Sequence, residues 1–342
     1  MSTRHRINVR RSMVRDLWDA VQPRTLLLML GVLALQLGFI LSYVGAFHGP
    51  DPHRITLATV APQATVDQLN AIEGTPLEAH LVADEAQARA QVLDRSADAA
   101  FVPDPQGGTD TLLVASAAGP SLATATQQVL SGVEAQQGRN LTTEDLVPPQ
   151  QGDARALSGF YAMIGWLVGG YLAAAALGVA KGARPATLRR AAIRLGAMVP
   201  YSVISGVLGA LILDQWLGAL TGHFGSLWWL GAALVFVAAS VTVALQVLFG
   251  IIGIGFTVLI FVVLGNPSAG GAFQGPLLPE FWRNIGGYLP NGAGTEAIRN
   301  ATYFDGNAMN GPLLVLLVWG LGGLVLTLIG SAVRIRLHGS ST

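Results

Sequence analysis

Cysteine is absent from the 342 residues, so no disulfide can staple an exported part and no thiolate metal site exists. Lysine occurs once, at Lys181, and arginine supplies the rest of the basic residues. Charge is scarce altogether, at 12% of residues against 51% hydrophobic, which places the chain in the membrane class. Between Asp214 and Glu280 there is no Asp, Glu, Lys or Arg. Catalytic signatures are missing too. No G-x-x-x-x-G-K-[ST] occurs, which excludes ATP hydrolysis by the P-loop route, and neither G-x-S-x-G nor H-E-x-x-H is present. The six histidines (His5, His48, His53, His80, His223, His338) lack metal-ligand spacing. Asp104 and Asp110 flank Gly107-Gly108 as a solvated turn would rather than as a cation loop. No enzymatic activity, cofactor, metal or nucleic-acid partner is expected.

What the chain does have is long apolar runs. Thr25–Phe47 and Phe160–Ala180 carry no charge, and each is long enough to cross a hydrocarbon core of roughly 30 Å. The expected spans are 25–47, 157–180, 191–213, 227–247, 249–265 and 312–333. Leu227–Gly265 is twice the length of one span, so the chain is expected to turn back near Gln246–Gly250. The fold expected is a polytopic α-helical membrane protein with six transmembrane helices, one plus five. A small α/β extracytoplasmic domain (48–156) separates helices 1 and 2, and a re-entrant helical hairpin (266–311) precedes helix 6. Of the 20 Lys and Arg residues, 13 fall in three groups: Arg4, Arg6, Arg10, Arg11, Arg15 and Arg24; Lys181 with Arg184, Arg189, Arg190 and Arg194; and Arg334 with Arg336. The positive-inside rule puts all three, and both termini, in the cytoplasm. His48–Arg155, with 14 acidic residues against 5 basic, is then outside. The location expected is a bacterial cytoplasmic membrane, with the first span read as an uncleaved anchor.

Within 1–24, Val9, Met13, Leu17 and Val21 make one apolar stripe on a basic helix, suited to the membrane interface or to a cytoplasmic partner. In the outer segment, Arg54–Val60, Leu77–Val82, Ala99–Val102 and Thr111–Ala115 read as strands. Thr65–Glu73, a helix capped by Asp84 and Ser121–Gln137 read as helices, and Leu141–Arg155 as a polar linker. Pro200 is expected to kink its span. Gly165, Gly169, Gly206 and Gly209 mark close helix contacts, within one subunit or at a dimer seam. The loop 266–311 is too apolar for a solvated connector and too rich in Pro and Gly to span, so it should dip partway into the membrane. There Glu280/Arg283 and Glu296/Arg299 stand three apart, at helix-surface pair spacing. The spans hold almost no ionisable group, which disfavours a proton antiporter.

Several segments, in this order, resemble the membrane subunits of ABC-2 type exporters, especially the YhgE/Pip-like branch. They are Arg54–Val60, Asp84-Glu85-Ala86 to Leu93, Ala99–Pro103, Asp153–Tyr161, Asn266-Pro267-Ser268 and Tyr288-Leu289-Pro290 to Arg299. The outer region here is compact, whereas many branch members carry a longer coiled coil. The resemblance implies a permease, homodimeric or heterodimeric in the lipid bilayer, that moves an amphipathic or lipid-like compound outward. A separate cytoplasmic ATPase would contact Lys181, Arg184, Arg189 and Arg190. Phe281, Trp282, Gly287, Pro290, Glu296 and Arg299 would form an outer gate. An envelope scaffold or secretion-assembly protein acting through the outer domain is the alternative.

Overall fold

A computed structural model of the chain describes residues 23–185 and 187–339. The basic helix expected over 1–24 lies almost wholly outside the described residues, as does the end of the 334–342 tail. The described residues hold five helical stretches long and apolar enough to cross a membrane: Thr25–Phe47, Ser158–Lys181, Leu188–Trp216, Phe224–Leu264 and Asn310–Val333. The protein is a helical membrane protein.

Helix α1 (Pro23–Phe47) leads into a five-stranded domain. Its elements are β1 (Ile55–Thr59), α2 (Gln63–Asn70), β2 (Leu77–Leu81), α3 (Glu85–Leu93), β3 (Ala99–Val102), β4 (Thr109–Val114), α4 (Pro120–Gln136) and β5 (Asn140–Asp145). The strand order is β2-β1-β3-β4-β5, with only the β3–β4 pair antiparallel. Side chains alternate between faces as the pleat requires. Leu57 and Leu112 pack with Val66 and Leu69 of α2 and Leu130 of α4. Ala58 and Leu113 point the other way, onto Ala88 and Val92 of α3. The layers are therefore helix, sheet, helix. Asp84 caps α3 as expected, accepting from the Gln87 amide at 2.8 Å. The expected linker is corrected in part: Asn140–Asp145 is a strand paired in parallel with β4.

Four helices make the apolar bundle: α5 (Ser158–Lys181), α6 (Leu188–Ala210, prolonged by a π turn to Trp216), α7 (Phe224–Phe249) and, further along the chain, α11 (Asn310–Gly339). α6 continues through Pro200 without a break. The Trp166 ring fills a slot that exists only because Gly209 and Gly231 lack a Cβ on either side, and its Nε1 donates to Ser205 O at 3.3 Å. Gly206 likewise meets the α7 backbone, so these small residues serve packing within the chain. Gly165 faces open space.

α7 ends at Gly250, whose φ of 68° is one that a side chain would resist. The chain then folds back. α8 (Gly253–Val258) returns against the end of α7, with the Phe249 and Phe256 rings 4.7 Å apart, and the π turn Leu259–Leu264 that continues it packs on α1. Gly253 lies so close to Leu245 that no Cβ would fit between them. The reversal falls at the end of the interval in which the sequence placed it.

Candidate functional site

Between Gly265 and Asn310 the chain links the bundle to the five-stranded domain, the outer domain of the expected topology. Residues 265–279 run beneath that domain and are stitched to it. Ser121 Oγ donates to Ala272 O at 2.9 Å, the His53 amide to Pro276 O at 2.9 Å, and Leu277 is buried in the domain's own core. Two short helices follow, α9 (Glu280–Gly286) and α10 (Pro290–Tyr303).

α10 begins with proline at its first position, where no helical hydrogen bond is lost. Nearly every residue along it is buried, from Pro290 to Thr302. Gly294 admits the side chains of Leu234 on α7 and Met163 on α5 against its backbone. Thr295 and Thr302 satisfy their hydroxyls on the carbonyls four residues back, at 2.9 and 2.8 Å, so they can be buried among apolar neighbours. Near the start of α10, Asn291 Nδ2 donates to Phe261 O at 2.9 Å and to Asn266 Oδ1 at 2.7 Å. Asn266 Nδ2 in turn donates to the Tyr43 hydroxyl of α1 at 3.0 Å. One polar chain thus ties α1, the returning segment and α10 together. The α9–α10 turn is held by Trp319 of α11, whose Nε1 donates to Tyr288 O at 2.8 Å.

The other end of α10 is clasped by the outer domain. Glu296 Oε2 meets Arg95 Nη2 at 2.7 Å, and its Oε1 accepts from Arg299 Nη1. Arg299 is buried, and its Nη2 donates to Gly270 O at 2.9 Å. Arg95 sits just past α3 with φ at 70°, a conformation rare outside glycine. From there its guanidinium lies over the Phe304 ring, 4.8 Å from the centroid. Phe304 itself is part of the core between sheet and α3. Asp98, beside the clasp, has its carboxyl pushed up by burial and by Glu296, against the Thr56 amide and Arg95, which favour its charge. Tyr303 donates to Asp153 Oδ2 at 2.8 Å, and Asp153 Oδ1 accepts from the amide of Ser158, the first residue of α5. The clasp therefore engages the outer domain, the hairpin and the start of the bundle.

The six residues expected to form a gate divide into two sets. Pro290, Glu296 and Arg299 lie on the packed side of the hairpin. Phe281 and Gly287 are exposed, and Trp282, half-buried, stacks edge-on with Phe281 at 5.0 Å. A side chain at Gly287 would meet nothing within 4 Å. The tight positions are its neighbours: a Cβ at Gly286 would collide with Ser268 O, and one at Gly292 with Gly286 O. Among the described residues Glu280 and Arg283 form no ion pair with each other. They instead line a cleft of about 820 Å³ between α9 and the outer domain, facing Asp51, His53, Arg54 and Glu78. Sequence reasoning missed Arg95, Gly270 and Asn291, which are far from their partners along the chain and belong to no pattern.

At the other end of the bundle Lys181, Arg184, Arg189 and Arg190 are all exposed, and among the described residues none is paired with a carboxylate. Arg194 is the structural member of this group. Its Nη2 donates to Lys181 O at 3.1 Å and Gly182 O at 2.8 Å, closing the loop between α5 and α6. Thr187 caps α6 by accepting from the Arg190 amide at 3.2 Å. No known family model, curated protein or solved structure matches this chain.

Proposed function

We propose that the chain is the membrane subunit of an ABC-2-like exporter, moving an amphipathic or lipid-like compound outward at the expense of a separate cytoplasmic ATPase. The observation that carries this reading is the hairpin: α10 is wedged against α5, α7 and α11 while its Glu296, held by Arg299, pairs with Arg95 of the outer domain. A purely structural anchor for the outer domain would not need a helix buried among the others along nearly its whole length.

In this reading the chain crosses the membrane six times, because the reversal at Gly250 makes two crossings of Phe224–Leu264. His48–Arg155 lies outside, and the loop with Lys181, Arg184, Arg189 and Arg190 lies in the cytoplasm of a bacterial cell, where it contacts the ATPase. Exposed or half-buried aromatics stand at helix ends away from that loop: Tyr161, Trp216, Trp228 and Trp229, with Phe281 and Trp282 on α9. They fit the belt that aromatics form at a membrane–water boundary. Trp319 stands nine residues into α11, which puts the Tyr288 turn roughly 13 Å below that helix's start. Backbone broken at such depth is tolerable when protein covers it, and the bonds to Trp319 and Phe261 supply that cover. Opening an exit would then require hairpin and outer domain to lift as one body. The subunit works as a dimer, with a second copy or a paralogue covering part of the exposed apolar face.

Two measurements test this. Single cysteines introduced at Asp67 and Thr187 should label oppositely with a membrane-impermeant thiol reagent, a clean experiment in a chain without cysteine. Labelling of Thr187 alone in intact cells would reverse the topology. Second, the subunit purified from native membranes should carry vanadate-sensitive ATP hydrolysis, which Arg184→Glu, Arg189→Glu and Arg190→Glu together remove while the cysteine labelling stays unchanged. If correctly oriented protein shows no associated hydrolysis, the exporter reading fails and the scaffold reading takes its place.

A further inference from the structure

The outer domain carries a feature that neither the clasp nor the bundle uses. From β1 the chain passes through α2 to β2 on one side, and then through α3 to β3 on the other side of β1. The two crossing helices lie on opposite faces of the sheet. A crevice must therefore open outside the carboxyl ends of β1 and β3, the place where open α/β sheets bind ligands. A cavity of about 310 Å³ lies there, bordered by Pro62 after β1 and Pro103 after β3. That volume is at the small end of the range for organic ligands. The clasp and the contacts with residues 270–277 involve the opposite, amino ends of the parallel strands, near Arg54 and Arg95. The cavity thus opens away from the bundle.

Its wall combines apolar side chains with the polar Thr65, Gln68 and Gln137, the carboxylate of Asp104, and one charged group of three, Asp110, Glu134 and Arg139. Leu69 and Ile72, from α2 and its end, and Phe101 of β3 supply the hydrocarbon. Asp110 of β4 is fully engaged: Arg139 Nε donates to its Oδ2 at 2.6 Å, Arg139 Nη2 donates to its Oδ1, and the Asp104 amide donates to Oδ1 at 2.8 Å. Arg139 also donates to Asp104 O at 2.7 Å. The remaining member is Glu134 of α4. It is 3% exposed, and its Oε2 has no hydrogen-bond partner, Arg139 Nε lying 3.6 Å away. Arg139 spends its hydrogen bonds on Asp110 and Asp104 O, so it is a charged neighbour of Glu134 but gives Oε2 no hydrogen bond. A buried acceptor in that state is costly unless something fills its place.

We propose that this cavity binds a small organic cation with an apolar body, whose primary ammonium donates to Glu134 Oε2 while its hydrocarbon lies against Leu69, Ile72 and Phe101. The assignment stands apart from the exporter reading, since it concerns the outer domain alone. Burial, and after it the hydrogen bond and charge of Asp110, push the Glu134 carboxyl up to about 7, with Arg139 opposing. Burial also works against ionisation of Asp110, but hydrogen bonds from Arg139, Glu134 and the Asp104 amide outweigh it and hold that carboxyl down at about 2. The charged and titratable groups lining this cavity are Asp104, Asp110, Glu134 and Arg139, and α2 contributes none. Binding an ammonium must then expel a proton from Glu134 whenever the pH is below its own titration.

The probe is phenethylamine, with 2-phenylethanol as its uncharged counterpart, titrated calorimetrically into the full chain in phosphatidylcholine nanodiscs with empty nanodiscs subtracted. The amine should bind saturably with one site per chain, and the alcohol at least tenfold more weakly. The amine's affinity should rise roughly tenfold from pH 6 to pH 8, following the ionised fraction of Glu134. Glu134→Gln keeps the shape and removes the charge, and should weaken the amine at least tenfold. Leu69→Trp, which fills the cavity and leaves Glu134 in place, should abolish binding of both compounds. Saturable amine binding that survives Glu134→Gln, equal affinity for amine and alcohol, or no saturable binding to the unaltered chain would each overturn the proposal. Should Glu134→Gln fail to fold, the comparison of amine with alcohol on the unaltered chain decides alone.

Discussion

Glu296→Gln will destabilise the folded protein more than Arg299→Met, although arginine is the bulkier and more deeply buried partner. The reason is what each change leaves behind. Without Arg299, the Glu296 carboxylate keeps Arg95 at 2.7 Å; Glu296 Oε1 and the carbonyl of Gly270 each lose a donor, but Glu296, with its side chain 32% exposed, can take a replacement from solvent. Without the Glu296 charge, two guanidiniums converge on a neutral amide, and one of them, Arg299, is 5% exposed. Stranding a buried charge costs about 3–5 kcal/mol, whereas losing one hydrogen bond to a charged group costs about 1.5–3 kcal/mol. The measurement is the thermal unfolding midpoint of each variant in the same detergent, together with the double variant. The double variant should recover part of what Glu296→Gln loses, because no stranded arginine remains at position 299. A larger loss for Arg299→Met, or simple additivity in the double variant, would mean that the three groups do not act as a unit.

Gly292→Val should prevent the hairpin from seating at all, and Gly287→Leu should leave it untouched. The two glycines are five residues apart on the same hairpin, but Gly292 is pressed against the carbonyl of Gly286, while Gly287 faces open space. Overpacking a core by a methylene or two costs roughly 1–3 kcal/mol when side chains can yield. Here the obstacle is backbone on both sides, so the cost must be larger. Fluorescence-detected size-exclusion chromatography of tagged variants reads the outcome directly, with Gly292→Val expected to run as aggregate and Gly287→Leu as the unaltered protein does. A well-behaved Gly292→Val would show that the turn opens easily. Gly287, expected as part of an outer gate, is exposed, and the tight positions are its neighbours Gly286 and Gly292.

That contrast between neighbouring glycines illustrates which kinds of structure are legible in a sequence. Apolar runs report their environment residue by residue, so the long helices and the reversal after Phe249 could be read directly. Strands with one buried face were equally visible, and so was the Asp84 cap. β5 was not, because Asn140–Asp145 is a polar strand at the edge of the sheet, largely exposed and without apolar alternation. In the hairpin, spacing identified Glu296 and Arg299 as a pair but not Arg95, which joins them from 201 residues away. Nor does spacing distinguish Gly286 from Gly287, since a turn of seven-residue α9 either way decides which of the two touches Ser268. The Asp110–Glu134–Arg139 group was hidden for the same reason. Asp110 sits beside a glycine turn and reads as solvated until β4, α4 and Arg139 are brought together.

The clasp also imposes a timetable on the birth of this protein. Phe304 and Leu277 are built into the two cores of the outer domain, yet they emerge from the ribosome long after the rest of it. At synthesis rates of about 5–20 residues per second, the 201 residues between Arg95 and Glu296 take roughly 10–40 s. For that interval the sheet must be formed with two greasy sockets open and one arginine waiting, in the proposed topology on the far side of the membrane from the ribosome. A newborn outer domain is therefore a natural client for whatever chaperones that compartment holds, and its final closure reports that the last helices have arrived.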